Sequence, residues 1–152
     1  MLDAAYTGVA TSTGDGRAGG RVTTDDGLID LTLAIPRELG GPGGATNPEQ
    51  LFAAGWASCF HSALKAVASR EKVSIKDSTV TAEVGIRKLP GHTSYTLIAA
   101  LRVVLPGLEQ DVAERLVELT HNTCPYSVAT RGNVPVTLTV TVDEGSEVGT
   151  QA

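Results

Sequence analysis

Two cysteines, an arginine and a glutamate stand out as residues that together could support thiol chemistry. Cys59 and Cys124 are the two cysteines of the sequence. A cysteine reacts as its thiolate, and burial raises the thiol pKa, so a buried cysteine needs a nearby cation in order to react. Arg17 supplies a permanently protonated guanidinium, and the carboxylate of Glu49 could hold that guanidinium in place. These four residues are candidate members of one thiol site.

Each of these residues also has an ordinary structural interpretation. Two cysteines in a reducing compartment are commonly buried thiols that behave as small hydrophobic side chains. Arg17 lies in the glycine-rich segment 14–20 and could be a solvated loop charge, while Glu49 could serve only a helix start. The spacing of Cys59 and Cys124 does not show whether they meet, because only the fold can bring them together.

The segment around Cys59 has the pattern of a long helix over residues 48–70. Asn47 can cap its free N–H groups, Pro48 suits the first helical position, and Glu49 complements the positive end of the helix dipole. Apolar side chains occur on more than one face, which predicts a central helix buried most of the way round. They are Leu51, Phe52, Ala53, Ala54, Trp56, Phe60, Ala63, Leu64, Val67 and Ala68.

Helix geometry limits how Glu49 and Cys59 could share a site. Ten residues at 1.5 Å each place them roughly 15 Å apart along one straight helix. Either the helix breaks, for which Gly55 offers a position, or Glu49 comes from a second chain. The second possibility predicts a homodimer.

The remaining segments predict an α+β fold with antiparallel sheets packed on two helices. Residues 79–89 alternate apolar and polar side chains, and residues 95–105 return after a Pro-Gly turn, which predicts an antiparallel hairpin. Cys124 precedes Pro125, so it is expected at a junction where the second helix ends or at the N-cap of a following short turn. The other predicted elements are strands 6–12, 21–24, 28–35 and 134–142 and a helix at 108–120. We expect one domain over residues 1–142 and a flexible tail over 143–152.

Charge and hydropathy exclude several classes of partner. The net charge is -5 and the isoelectric point is about 5.1, so nucleic acid and anionic membranes are disfavoured as partners. No apolar run approaches the roughly 20 residues that span a bilayer. The first six residues lack the basic and apolar pattern of a secretory signal, so the sequence predicts a cytoplasmic protein.

Two long motifs resemble those of the Ohr/OsmC family. Residues 40–60, from the Gly-Gly-Pro-Gly-Gly run through Thr46-Asn47-Pro48-Glu49 to Cys59-Phe60, are similar to its first cysteine motif. Residues 124–133, beginning Cys124-Pro125, are similar to its second, in the form typical of the organic hydroperoxide resistance (Ohr) branch. The resemblance covers roughly residues 6–142.

The resemblance implies a thiol-dependent peroxidase that reduces organic and fatty-acid hydroperoxides, as part of oxidative stress defence. Cys59 takes the place of the peroxidatic cysteine and Cys124 that of the resolving cysteine, with a disulfide between them recycled by an external dithiol or a lipoylated protein. Arg17 would stabilise the thiolate, with Arg21 as a competing candidate, and Glu49 would orient the arginine. The family implies no metal, haem or other bound cofactor, and an intertwined homodimer with active sites at the subunit interface.

Three other interpretations remain open. Cys59-x-His61 and His121-x-x-Cys124 supply zinc-type ligands, but residues 59 and 61 point about 200° apart on a helix, which argues against one shared metal. A peroxide sensor could use the same thiols, although the acidic chain has no DNA-binding stretch. A hydrolase using Ser58 or Ser127 would lack the usual Gly-x-Ser-x-Gly turn. His92 and His121 are interpreted as surface residues.

Overall fold

The computed structural model describes residues 2–143, so most of the predicted flexible tail lies outside the described residues. The chain divides into two compact units, one up to Leu51 and one from Phe52 onward. Among the described residues, no helix is both long enough and apolar enough to cross a membrane.

The first unit contains a small antiparallel sheet. Its strands are β1 (Ala10–Thr13), β2 (Arg21–Thr24) and β3 (Asp30–Thr32), in that spatial order. A 3₁₀ turn at Gly16–Ala18 joins β1 to β2, and a second lies at Arg37–Leu39. The predicted strands 6–12 and 28–35 are too long, because β2 has only four residues and can pair with its neighbours only over that length.

The long helix α1 spans Pro48–Arg70, the bounds that the sequence predicts. The Asn47 side chain accepts a hydrogen bond from the Gln50 amide at 2.9 Å, which confirms the cap. The helix continues through Gly55, so of the two alternatives for a shared site the break at that position does not occur. Its fully buried side chains follow one face, namely Trp56, Phe60, Leu64, Val67 and Ala68. The expectation of burial most of the way round is therefore also wrong for the single chain.

The second unit holds a three-stranded sheet and two more helices. The order of its strands is β4 (Thr79–Lys88), β5 (Tyr95–Val104) and β6 (Val136–Thr141), with helices α2 (Gln110–Thr123) and α3 (Pro125–Thr130) between β5 and β6. β4 and β5 form the predicted antiparallel hairpin. β6 pairs parallel to β5, so this sheet is mixed. The parallel pairing follows because α2 and α3 form a crossover that carries the chain back to the same end of the sheet.

The core of the second unit is aliphatic with two aromatic side chains. The buried face of α1 packs with Leu101 and Val103 of β5 and with Leu116 and Val117 of α2. Cys124 belongs to this core and is fully buried. The α+β prediction is confirmed, with two helices on an essentially antiparallel framework and α3 as an additional short helix.

Candidate active site

The two cysteines lie side by side in the second unit. Cys59 is midway along α1, and the Cys124 thiol donates a hydrogen bond to its sulfur, with 3.7 Å between the two Sγ atoms. Both cysteines are free thiols, Cys59 partly exposed and Cys124 buried. In this arrangement a reagent from solvent meets the sulfur of Cys59 first.

The junction between α2 and α3 positions Cys124. Its amide donates to the Thr120 carbonyl at 2.8 Å and its carbonyl accepts from the Val128 amide at 3.0 Å, so it ends one helix and begins the next. Its backbone is extended (φ -59°, ψ 123°), as the following Pro125 favours. The predicted junction is confirmed, and a residue held at both its amide and its carbonyl has little backbone freedom.

The surroundings of Cys59 act on its pKa in both directions. Burial raises the pKa of this thiol most strongly, and the neighbouring Cys124 thiol raises it further. The backbone N–H of Tyr126, near the start of α3, hydrogen-bonds to the sulfur and lowers the pKa. Because the raising contributions dominate, these neighbours alone leave Cys59 mostly protonated at neutral pH. A reactive thiolate requires an additional positive group.

Aromatic side chains and one hydrogen bond join α1 to α3 beside the thiols. Trp56 Nε1 donates to Ser127 Oγ at 3.2 Å, and both residues are fully buried. Phe52 packs edge-on against Trp56 and against Tyr126, with ring centroids 5.8 and 6.1 Å apart. A Cβ on Gly55 would lie 3.1 Å from the Tyr126 hydroxyl, so a glycine here lets the tyrosine approach α1.

Arg17 and Glu49 form an ion pair in the first unit. Two guanidinium nitrogens of Arg17 donate to the two carboxylate oxygens of Glu49, at 2.7 and 3.2 Å. The Glu49 side chain is 12% exposed and that of Arg17 is 34% exposed. The hydrogen bond to Glu49 raises the pKa of Arg17. Glu49 therefore holds the Arg17 guanidinium in a fixed orientation, and the Arg17 side chain remains partly exposed to solvent.

Local sequence explains the placement of Arg17. It is the middle residue of the 3₁₀ turn, which begins at Gly16 and is followed by the C-cap Gly19, with φ of 56° and 112°. At Gly20 a Cβ would lie 2.7 Å from the backbone nitrogen and oxygen of Gly16, so a side chain there would collide with the turn. The competing Arg21 instead pairs with Asp30 on the exposed sheet, at 2.5 and 2.6 Å.

Three histidines lie in the second unit, namely His61, the exposed His92 and His121, and none of them belongs to a metal cluster of the described residues. His61 Nε2 is 3.0 Å from Ser78 Oγ, and burial lowers the pKa of both His61 and His121. Nδ1 of His121 is buried and has no hydrogen-bond partner within the described range, so the prediction of a surface residue is wrong for this ring. Residues 2–143 contain no group of three or more His, Cys, Asp or Glu side chains able to hold a metal ion.

Comparison with known proteins places the chain in a family. Residues 41–139 match the family model described as OsmC-like protein. The chain is 48% identical over 137 residues to an organic hydroperoxide resistance protein of Xanthomonas axonopodis pv. citri, covering 89% of this chain and 94% of that protein. This chain belongs to the organic hydroperoxide resistance (Ohr) branch of the OsmC-like family. The OhrB protein of Bacillus subtilis is 41% identical over 135 residues, 89% of this chain and 97% of that protein.

Solved structures with the same fold agree with this assignment. An organic hydroperoxide resistance protein from Legionella pneumophila superposes with a TM-score of 0.86 at 51% identity, over 92% of this chain and all of that one. The crystal structure of OhrB from Bacillus subtilis gives a TM-score of 0.81 at 40% identity, over 90% of this chain and 99% of that one. The Ohr fold predicted from the two cysteine motifs is thereby confirmed.

Within this Ohr chain the structure brings the predicted residues together as two pairs, Cys59 with Cys124 and Arg17 with Glu49. Sequence reasoning missed the Tyr126 amide as a partner of the Cys59 sulfur. The signal was available, because Pro125 at the first position of a helix leaves the next amide free to donate outside the helix. It also missed the bond between Trp56 and Ser127, for which no local pattern exists.

Proposed function

We propose that this Ohr chain is a thiol-dependent peroxidase that reduces organic hydroperoxides to alcohols. The observation that carries the proposal is the 3.7 Å separation of the Cys59 and Cys124 sulfurs, one partly exposed and the other buried. This arrangement suits a cysteine that meets the oxidant and a second, protected cysteine that removes the product of that reaction. Two unrelated core thiols have no need of such proximity.

The first chemical step is the oxidation of Cys59. Its thiolate attacks the distal oxygen of the hydroperoxide, and an S–O bond forms as the O–O bond breaks. The electron pair of that bond leaves on the alkoxide, which takes up a proton to become the alcohol. The sulfur has lost two electrons and becomes a sulfenic acid.

The second step joins the two cysteines. The Cys124 sulfur attacks the Cys59 sulfur, an S–S bond forms, and the S–O bond breaks to release water with the proton of Cys124. The two sulfurs must then approach from 3.7 Å to about 2.05 Å. An external dithiol, for which lipoylated proteins are our candidate, reduces this disulfide by exchange and becomes a disulfide itself.

In this proposal Arg17 stabilises the Cys59 thiolate and Glu49 orients Arg17. Cys59 needs a cation because burial raises its pKa, and Arg17 is a partly exposed guanidinium held at two points by a carboxylate. We further propose that the arginine serving each Cys59 comes from the second chain of a homodimer. The exposed apolar side chains of Leu28, Ile29 and Leu31 in the first unit offer surface that a second copy could cover.

The substrate class rests on the aromatic surroundings of Cys59 and on the relatives. Phe52 of α1 and Tyr126 of α3 pack together, and an apolar surface of this kind favours an alkyl or aryl hydroperoxide over hydrogen peroxide. The relatives from Xanthomonas and Bacillus are named for resistance to organic hydroperoxides. The chemistry needs no bound cofactor, and free thiols fit a reducing cytoplasm.

Steady-state consumption of cumene hydroperoxide with dihydrolipoamide tests the proposal. We expect sustained turnover by the wild type, none by Cys59→Ser, and normal turnover by Ser62→Ala, which changes an exposed serine of the same helix. In Cys124→Ser the first equivalent is expected to oxidise Cys59 to the sulfenic acid, and further equivalents should overoxidise it and end turnover. An active Cys59→Ser variant would contradict the proposal. Disulfide formation without repeated turnover would instead favour a sensor.

A further inference from the structure

We propose that the buried hydrogen bond between Trp56 and Ser127 is a positioning contact for the disulfide step. It holds the α3 segment that follows Cys124 against the part of α1 that carries Cys59. The inference rests on the proposed function, because it concerns how the second cysteine meets the first. Neither residue touches the reacting atoms, so both are positioning residues.

The register of the two residues relative to the cysteines supports this role. Trp56 lies three residues before Cys59 on α1, and residues three apart on a helix lie on one face about one turn apart. Ser127 is the third residue of α3 and Cys124 is the N-cap of that helix, whose side chain lies within reach of the third residue. The bond from Trp56 to Ser127 and the contact between the sulfurs therefore join the same two segments, one turn from each other.

Burial makes this contact selective for one arrangement of α1 and α3. Both side chains are fully buried, and the indole N–H, a donor only, is 3.2 Å from the Ser127 hydroxyl. If α3 moved away, a buried N–H would lose its partner without gaining water. The neighbouring Tyr126 is 40% exposed, so its contacts with Phe52 and Gly55 restrain the segment less.

The disulfide step depends on how closely α3 is held. The sulfurs approach by more than an ångström to form the bond, and the backbone of Cys124 is fixed at both its amide and its carbonyl. If α3 is loosened, Cys124 spends less time within reach of an oxidised Cys59. The attack of Cys59 on the hydroperoxide depends on α3 only through the Tyr126 amide, which hydrogen-bonds to the Cys59 sulfur and does not have to carry one sulfur to the other. Loss of the bond should therefore slow the second step more than the first.

Trp56→Phe and Ser127→Ala each remove the bond while keeping most of the buried volume. One equivalent of cumene hydroperoxide is added, samples are quenched with a thiol-blocking reagent, and intact masses separate sulfenic acid, disulfide and overoxidised chains. We expect disulfide formation to slow by about fivefold, the factor that loss of one neutral hydrogen bond gives, and Cys59 oxidation to slow clearly less than that. The double variant should be no slower than the slower single variant, because all three lack the same bond.

A spectroscopic readout and a stability control complete the test. Trp56 is the single tryptophan of the chain, so its emission can report the disulfide step directly in the wild type and in Ser127→Ala. Val67→Ala creates a buried cavity elsewhere on α1 and should keep the normal disulfide rate despite its lower stability. The inference would be overturned if disulfide formation slowed equally in Val67→Ala. It would also be overturned if disulfide formation kept its wild-type rate in both Trp56→Phe and Ser127→Ala.

The same comparison with diamide separates this inference from the proposed function. Diamide takes two electrons and two protons from a pair of thiols, so it drives the disulfide without any peroxide. If cumene hydroperoxide does not oxidise the wild type, the proposed function fails. The rates of disulfide formation with diamide then still decide the role of the hydrogen bond between Trp56 and Ser127. If peroxide oxidises Cys59 and both variants form the disulfide at the wild-type rate, only the inference fails.

Discussion

The guanidinium of Arg17 donates two hydrogen bonds to the carboxylate of Glu49, 32 residues further along the chain. The pair joins a glycine-flanked 3₁₀ turn to the first turn of α1. A two-point bond between planar groups defines the orientation of the guanidinium as well as its position. A partly exposed arginine that is held in this way is oriented to bind an anion.

Weakening the pair should lower peroxidase activity without unfolding the chain. Glu49→Gln keeps the shape of the side chain but replaces a charged acceptor with a neutral one, and we expect kcat/KM for cumene hydroperoxide to fall by about tenfold. The matched control is Asp30→Asn, which weakens the exposed Arg21 pair and should leave kcat/KM unchanged. Equal losses in both variants would point to a general effect of surface charge.

Mixing two inactive variants should restore activity if each site combines residues from two chains. In a heterodimer of Cys59→Ser and Arg17→Ala chains, one site would have both residues intact. After random exchange of subunits, about a quarter of the wild-type activity should return. If the mixture stays inactive although mass spectrometry shows heterodimers, Arg17 and Cys59 of the same chain act together.

The pH dependence of Cys59 alkylation should reveal the cation. Burial raises the pKa of this thiol, so without a cation the thiolate appears only above the usual pH range of cysteine. We expect the alkylation rate of Arg17→Ala to rise only at this higher pH. The wild type and Arg21→Ala should both be alkylated at lower pH. Identical profiles for Arg17→Ala and the wild type would remove Arg17 from the site.

Acid should destabilise the chain through its two partly buried histidines. Burial lowers the pKa of His61 and His121 below the ordinary 6.5, so the unfolded chain binds protons more readily than the folded one. This contribution to stability is present above that pH and is lost as the pH falls below it. Urea midpoints should fall as the pH drops below about 6.5, and should fall less in His121→Leu. If the urea midpoint of that variant fell with pH as much as that of the wild type, His121 would be excluded as a source of the acid destabilisation.

Adding one methyl group at Gly20 should disturb the turn that carries Arg17. A Cβ there meets backbone atoms of Gly16 at 2.7 Å, whereas at Gly8 its nearest neighbours are 3.8 Å away on the Tyr6 ring. We expect Gly20→Ala to lose stability by about 1–3 kcal/mol and to lose activity, with Gly8→Ala near the wild type. Urea unfolding and peroxide consumption measure both effects. Normal activity in Gly20→Ala would mean that the turn adapts.

The helix α1 and the hairpin could be predicted well from the sequence, whereas α2 begins and ends two to three residues later than predicted and α3 was not predicted. Asn47, Pro48 and the apolar pattern after them define α1 to its observed bounds, because capping and helix periodicity are local properties of the chain. The hairpin of β4 and β5 follows from strict alternation around a turn. Lone strands were harder, since the length of β1 and β3 depends on how far β2 can pair with them.

The sequence by itself determined which residues could do chemistry, because residue types and the two cysteine motifs are local information. Only the tertiary structure decided that Cys59 and Cys124 lie 3.7 Å apart, that Glu49 pairs with Arg17 and not Arg21, and that Trp56 donates to Ser127. These contacts join residues 32 to 71 positions apart. They arise from the packing of whole elements around a shared core, and no pattern within a single helix or strand encodes that packing.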